Sequence, residues 1–135
     1  MKKKKVLVVD DELDMRIFIS TVFETSGYEA VAARDGREGL RRAREMAPDL
    51  IVLDIMMPGE GGVLMYRHLR TDEQLREIPV IMLSGVGKKT FYHYLSMMNI
   101  KPEDAIPEPE AYLEKPPNPE ELLEIADIVI RKTTA

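Results

Sequence analysis

The sequence predicts an α/β fold in which five strands alternate with five helices and form a parallel sheet covered on both faces. Short apolar runs recur along the chain, which is typical of strands that are buried on both faces of a parallel sheet. Segments with apolar residues spaced three and four positions apart separate these runs, and that spacing indicates amphipathic helices. At 135 residues, the chain is long enough for one domain with a substantial core.

The predicted strands are rich in Val, Ile and Leu, and turn-forming residues stand before two of them. Gly27 comes before the second strand and Pro79 before the fourth. A loop is predicted over residues 57–62, because a proline and three glycines interrupt the pattern there. The five predicted strands cover residues 5–9, 28–33, 50–53, 80–83 and 111–114.

The predicted helices each carry an apolar face, and Gly27 is a favourable stop for the first of them. The apolar face of the first helix comprises Met15, Phe18, Ile19 and Val22. That of the second helix, which ends near Pro48, comprises Leu40, Ala43 and Ala47. That of the last helix comprises Leu122, Ile125, Ala126 and Val129. The five predicted helices cover residues 13–26, 36–46, 63–70, 88–99 and 119–132.

Composition excludes several classes of function. The net charge of −5 argues against broad nucleic-acid binding, and the absence of cysteine excludes disulfides, thiolate metal sites and cysteine catalysis. Residues 1–5 form a basic leader, but the apolar run that follows is too short for a signal peptide, and no stretch reaches transmembrane length. We therefore expect a cytoplasmic protein without membrane insertion.

Reactive polar residues follow four of the apolar runs. Asp10 and Asp11 follow the first strand, Asp54 the third and Ser84 the fourth, while Lys115 follows the fifth. In an open parallel sheet, ligands bind at the edge where the strands end. Carboxylates crowded at this edge need neutralisation, and Mg²⁺ prefers oxygen ligands. The arrangement predicts a site for a divalent cation and a phosphoryl group.

Asp54 is the best candidate for a nucleophile, because carboxylates can be phosphorylated to acyl phosphates. Such a reaction needs an in-line donor and charge neutralisation rather than a strong base. The ammonium of Lys115 and the hydroxyl of Ser84 are suited to that neutralisation. Taken singly, each of these residues is ordinary; their joint placement at strand ends carries the prediction.

The motifs at the strand ends, and their order along the chain, resemble those of the receiver domain of bacterial two-component response regulators. The resemblance covers essentially the whole chain, and it implies one receiver domain over residues 1–135. It also implies a flavodoxin-like, doubly wound (βα)5 three-layer sandwich with strand order 2-1-3-4-5. The matching pieces are Val8-Val9-Asp10-Asp11-Glu12, Leu53-Asp54-Ile55-Met56-Met57-Pro58-Gly59, Ser84-Gly85 and Tyr112-Leu113-Glu114-Lys115-Pro116.

The resemblance implies a role for each matching residue. Asp54 is the expected phosphoacceptor, and it is expected to bind Mg²⁺ together with Asp11 and the backbone carbonyl of Met56. Asp10 is expected to act through a metal-bound water, and Lys115 to contact the phosphoryl oxygens. Two further residues form the expected switch: Ser84, which moves toward the phosphoryl group, and Tyr112, which moves with it. The Lys115-Pro116 peptide is expected to be cis.

The resemblance also implies the partners. The phosphodonor is expected to be a phosphohistidine on a sensor histidine kinase or a phosphotransfer protein, and the receiver catalyses only its own phosphorylation and dephosphorylation. Phosphorylation is expected to change the face formed by the fourth helix, the fifth strand and the fifth helix, which then engages an unknown downstream protein. We expect a stand-alone domain that acts by protein contact or onward phosphotransfer, unless the chain is a piece of a longer protein.

The chain departs from the family pattern between Ser84 and Lys115. This stretch is longer than usual, and residues 99–110 are predicted to form an extended connection between the fourth helix and the fifth strand. Six of the nine prolines lie within residues 102–119, which favours a stiff connection over a helix. It is either a neutral surface insertion or a docking element of this protein.

Two other functions remain as alternatives. A phosphatase with an aspartyl-phosphate intermediate needs a general acid two residues after its nucleophile, and Met56 occupies that position. A phosphorylation-independent binding module that is only receiver-like would be expected to lack Asp11, Asp54 or Lys115, and all three are present.

Overall fold

A computed structural model of the chain describes residues 2–57, 61–85, 89 and 107–134. Its described strands form one parallel sheet in the order β2-β1-β3-β4-β5, so the predicted order is confirmed. The central strands β3 and β4 are buried along their whole length, as their continuous apolar sequences require. The strands are β1 (Lys5–Val9), β2 (Glu29–Ala33), β3 (Leu50–Asp54), β4 (Val80–Ser84) and β5 (Ala111–Glu114).

The described helices cover both faces of the sheet, which confirms the three-layer sandwich. One apolar cluster joins the sheet to α1 and α4, and a second joins it to α2 and α3. No helix among the described residues is long and apolar enough to cross a membrane. The helices are α1 (Leu13–Glu24), α2 (Gly36–Met46), α3 (Gly62–Thr71) and α4 (Pro119–Thr134).

Two predictions concern parts of the chain that the structure leaves largely undescribed. Apart from Lys89, which is helical, the predicted helix over 88–99 lies outside the described residues. The same holds for most of the predicted connection over 99–110, of which residues 107–110 are described.

The end of α2 differs from its prediction. Ala47 was predicted on the buried face with Leu40 and Ala43, and this is wrong, because Ala47 is exposed. It adopts a left-handed backbone conformation with φ of 47° and caps the helix through its N–H, which donates to the carbonyl of Ala43. The helix therefore ends before Pro48, which is buried and disfavours a helical residue ahead of it.

Other boundaries shift by one or two residues. The first helix ends at Glu24, since Gly27 takes a positive φ of 91° and turns the chain into β2. The strands β3 and β4 extend to Asp54 and Ser84, so these polar residues belong to the strands and are buried with them. Their side chains are thus fixed by the sheet rather than by a loop.

A buried arginine anchors the start of β5 to its neighbours. The guanidinium of Arg70 on α3 donates to both carboxylate oxygens of Glu110 at 2.9 and 2.8 Å and to the carbonyl of Ile78 at 2.7 Å. Glu110 also accepts the N–H of Val80 at 2.8 Å. The hydroxyl of Tyr66 donates to the carbonyl of Pro107. These bonds hold the segment before β5 against α3 and the start of β4.

Gly62, the first residue of α3, lies against the end of β3. A methyl group built at this position would stand 2.1 Å from the carbonyl oxygen of Asp54 and 2.5 Å from the Cα of Ile55. These are backbone atoms of the central sheet, so they cannot move aside as the end of a flexible side chain could. Only glycine permits this approach.

We expect Gly62→Ala to lower the free energy of unfolding by on the order of 2–4 kcal/mol, because the new methyl group overlaps the backbone of Asp54. Chemical denaturation followed by circular dichroism measures this change. Gly85→Ala is the matched control, since a methyl group there would meet nothing within 4 Å. Equal stability of the two variants would contradict the close approach at Gly62.

Candidate functional site

The C-terminal ends of four strands meet at one edge of the sheet. The register pairs Val9 with Leu53 and Asp54 with Leu83, so the residues after β1 and at the end of β3 are neighbours. A cavity of about 450 Å³ opens at this edge, with Asp54 and Lys115 among its lining residues. The structure therefore brings together side chains that are distant along the chain.

The ammonium group of Lys115 lies among three carboxylates. Its Nζ is 2.7 Å from Glu12 Oε1, 3.0 Å from Asp10 Oδ2 and 3.2 Å from Asp54 Oδ2. Asp10 and Asp54 are almost completely buried, with 1% and 2% exposure, whereas the side chain of Glu12 is 62% exposed. Two buried acids thus share one lysine with an acid at the surface.

Local backbone bonds hold the two buried aspartates. Asp10 Oδ1 accepts the N–H of Glu12 at 2.9 Å, and Asp54 Oδ1 accepts the N–H of Met56 at 3.1 Å. Each aspartate therefore closes a turn with the residue two positions on, a preference of Asp at strand ends. One oxygen of each side chain is fixed in this way, and the other faces Lys115.

The electrostatics of the cluster favour added positive charge. Burial raises the pKa of Asp54 to about 6, and the charge of Asp10 adds to that shift. Burial likewise raises the pKa of Asp10. Burial alone would lower the pKa of Lys115, but the contacts with Glu12 and Asp10 and the charge of Asp54 hold it above its usual range. The site carries more negative charge than one lysine neutralises.

This excess charge fits a divalent cation. Carboxylate oxygens of Asp10, Asp11, Glu12 and Asp54 all lie within 4.8 Å of one another. Asp10 Oδ2 is buried and accepts no hydrogen bond, although Lys115 stands close enough for an ion pair. A hard cation with oxygen ligands would satisfy this atom, so the residues present fit Mg²⁺.

The two predicted switch residues lie on the neighbouring strands. Ser84 is fully buried at the end of β4, and its carbonyl accepts the N–H of Lys115 at 2.8 Å. Gly85, the next residue, lines the cavity. Tyr112 is half-buried on β5 and packs against the apolar cluster beneath α2 and α3. The Lys115-Pro116 peptide is cis, as expected.

Glu12 is the site residue to which the sequence assigned no role. It occupies the N-cap position of α1, yet its side chain makes no capping bond and extends instead to Lys115. Glu12 directly follows Asp10 and Asp11 in the first motif, and this position indicates that it lies near the site. Its position in the sequence does not predict its contact with Lys115, which follows β5 and is distant along the chain.

Comparisons with known proteins agree with this architecture. Residues 6–127 match the family described as response regulator receiver domain. The phosphate regulon transcriptional regulatory protein PhoB of Pseudomonas aeruginosa is 33% identical over 133 residues, which are 98% of this chain and 54% of PhoB. The chain thus spans about half the length of this relative. The polar-differentiation response regulator DivK of Brucella ovis is 43% identical over 89 residues, which are 66% of this chain and 72% of DivK.

Solved structures show the same fold. The chemotaxis response regulator CheY4 of Vibrio cholerae superposes with a TM-score of 0.79 at 30% sequence identity. The superposition covers 95% of this chain and 99% of CheY4. Family match, sequence identity and fold agree with the acidic cluster and lysine at the strand ends, and this chain therefore belongs to the response regulator receiver domain family.

Proposed function

We propose that this domain is a phosphoacceptor switch of a two-component or phosphorelay system, and that Asp54 accepts the phosphoryl group. The observation that carries the proposal is the buried Asp54 carboxylate beside an open cavity, 3.2 Å from the Lys115 ammonium and next to further carboxylates. A nucleophile, a fixed cation and a candidate metal site at one cavity are what phosphoryl transfer to a carboxylate requires.

In this proposal, Asp54 Oδ2 attacks phosphorus, and the donor's leaving group departs with the electron pair of the broken bond. Asp54 needs no general base, because it reacts as the carboxylate. Mg²⁺, held by Asp11, Asp54 and the carbonyl of Met56 with Asp10 nearby, would neutralise charge on the phosphoryl oxygens. Lys115 supplies a second, fixed positive charge to these oxygens.

The natural donor in this proposal is a phosphohistidine on a sensor histidine kinase or phosphotransfer protein. The phosphoryl group adds negative charge and strong acceptor oxygens next to β4 and β5. Ser84 and Lys115 then gain contacts with the phosphoryl oxygens, and such differential contacts shift a conformational equilibrium. Tyr112 on β5 would carry this change to the surface that engages a downstream protein.

We expect incubation with acetyl phosphate and Mg²⁺ to add the mass of one phosphoryl group to the intact protein. Asp54→Asn should abolish this gain, since an amide is not an adequate nucleophile here. Asp14→Asn, which removes an exposed carboxylate of α1, is the matched control and should react like the unaltered protein. No Mg²⁺-dependent gain in the unaltered protein would refute the proposal and favour a phosphorylation-independent binding module.

We expect Asp54→Asn to stabilise the metal-free protein at neutral pH. The pKa of Asp54 is about 6 in the folded state, against about 3.9 for an unfolded chain, so the folded state binds more protons between these values. Its stability relative to the variant should therefore fall as pH rises from about 4 to 6, by on the order of 2 kcal/mol.

Urea denaturation of both proteins across this pH range, without divalent cations, measures the difference. Added Mg²⁺ should then stabilise the unaltered protein more than Asp54→Asn, because ligand binding to the folded state raises its stability. A stability difference that does not change with pH, or an equal effect of Mg²⁺ on both proteins, would contradict the assignment of Asp54 to the charged cluster.

A further inference from the structure

The three carboxylates around Lys115 differ in how easily they can leave it. Asp10 is buried, and its other oxygen is held by the N–H of Glu12. Asp54 is buried and is the proposed nucleophile. Glu12 makes the shortest contact, at 2.7 Å, but its side chain is largely in water. The contact with Glu12 is therefore the most easily broken of the three, because its carboxylate is already largely hydrated.

Lys115 has few hydrogen-bond donors, so the carboxylates around it and a phosphoryl group compete for them. An ammonium group has three N–H donors, and three carboxylates already stand within 3.2 Å of it. Among the described residues it hydrogen-bonds two of these, Glu12 and Asp54, so a phosphoryl oxygen that approaches Lys115 competes with them for the ammonium. Asp10 is held by the N–H of Glu12, and Asp54 Oδ2 is the atom that forms the new bond to phosphorus, so Glu12 is the carboxylate that competes with the phosphoryl oxygen.

Glu12 stands directly before α1, and its side chain contacts Lys115. It is the N-cap residue of α1 but forms no side-chain cap, and its carbonyl accepts the N–H of Arg16 through the backbone alone. Within the described parts of the chain, Lys115 is the ion-pair partner of its carboxylate, and Lys115 accordingly lowers the pKa of Glu12. The side chain also lines the cavity through which a donor would enter.

We propose that Glu12 is a positioning residue that acts through Lys115: it holds the ammonium before phosphorylation and competes with the incoming phosphoryl group for it. This inference rests on the proposed phosphorylation of Asp54. Release of Glu12 is then part of every phosphorylation event, and the strength of the Glu12–Lys115 contact sets how readily the site accepts a phosphoryl group.

The transfer itself balances without Glu12. With acetyl phosphate, a bond forms between Asp54 Oδ2 and phosphorus while the bond from phosphorus to the acetyl oxygen breaks. Acetate leaves with that electron pair, and no proton moves. During this exchange Lys115 gives up Glu12 and donates to a phosphoryl oxygen, while Asp10 keeps the ammonium in place.

We expect Glu12→Gln to raise the second-order rate constant for phosphorylation by roughly two- to fivefold, the range of a partly exposed ion pair. The rate constants are measured by intact mass at saturating Mg²⁺, with acetyl phosphate and with phosphoramidate. Glutamine is close to glutamate in size but lacks its charge, so it competes weakly for Lys115. Asp14→Asn removes the same charge elsewhere on α1 and should leave both rate constants unchanged.

The two donors separate the proposed role from simple repulsion. Acetyl phosphate carries more negative charge than phosphoramidate at neutral pH. If Glu12 acts through Lys115, both donors gain by the same factor, because both present the same phosphoryl oxygens. A gain confined to acetyl phosphate would mean that Glu12 only repels anions, and it would overturn the inference.

A second measurement tests the ion pair without phosphorylation. The free energies of unfolding of Glu12→Gln, Lys115→Gln and the double variant should be non-additive, as for residues in direct contact. Additive effects, or a Glu12→Gln protein that reacts no faster than the unaltered one, would overturn the inference while leaving the proposed function intact. No phosphorylation of either protein would refute the proposed function, and the inference with it.

Discussion

The candidate site depends on how one ammonium group is shared among more carboxylates than it can neutralise. Lys115 faces Asp10, Asp54 and Glu12 within 3.2 Å, and two of these acids are buried. Removing ionised groups from water costs several kcal/mol each unless good partners compensate. One lysine compensates only part of this, so the cluster has a deficit of positive charge. A divalent cation would offset that deficit, whereas the oxygens of a phosphoryl group would add to it.

The fold tolerates this deficit because apolar packing away from the charged cluster stabilises it. Two apolar clusters sandwich the sheet, and neither depends on the charged edge. At the opposite end of β5, Arg70 and Glu110 tie the strand to α3 and β4. Gly62 lies directly against the carbonyl of Asp54, so α3 is seated against the strand that presents this carboxylate. The charged residues are therefore held in place by elements that pack into the two apolar clusters.

Membership of the family defines the scaffold, but residues at the cavity decide how one member behaves. Glu12 illustrates this, because it leaves the helix cap unfilled and takes the ammonium instead. We expect substitution at this position to leave the sheet intact, since the side chain is largely exposed. Under the proposed function, a substitution at Glu12 would adjust the rate at which this receiver accepts a phosphoryl group, while Asp54 and Lys115 remain in place.

The predictions that succeeded rest on local patterns. Continuous apolar runs identified β1, β3 and β4, because strands buried on both faces tolerate few polar residues. Helical spacing found the described helices to within one or two residues at each end. The helical spacing gave a wrong prediction for Ala47, where the backbone adopts a left-handed conformation that is not expected for alanine. Residues 89–106 are almost entirely outside the described part, so the predicted fourth helix and most of the long connection stay predictions.

The sequence by itself determined which residues end each strand, and therefore that Asp10, Asp54, Ser84 and Lys115 belong to one edge of a parallel sheet. Only the tertiary structure decided which of them touch. The contacts of Lys115 with Glu12 and of Arg70 with Glu110 join residues that are far apart along the chain. They depend on strand order, register and side-chain direction together. Local periodicity carries none of that information, because it reports which face of an element is buried and not what lies opposite.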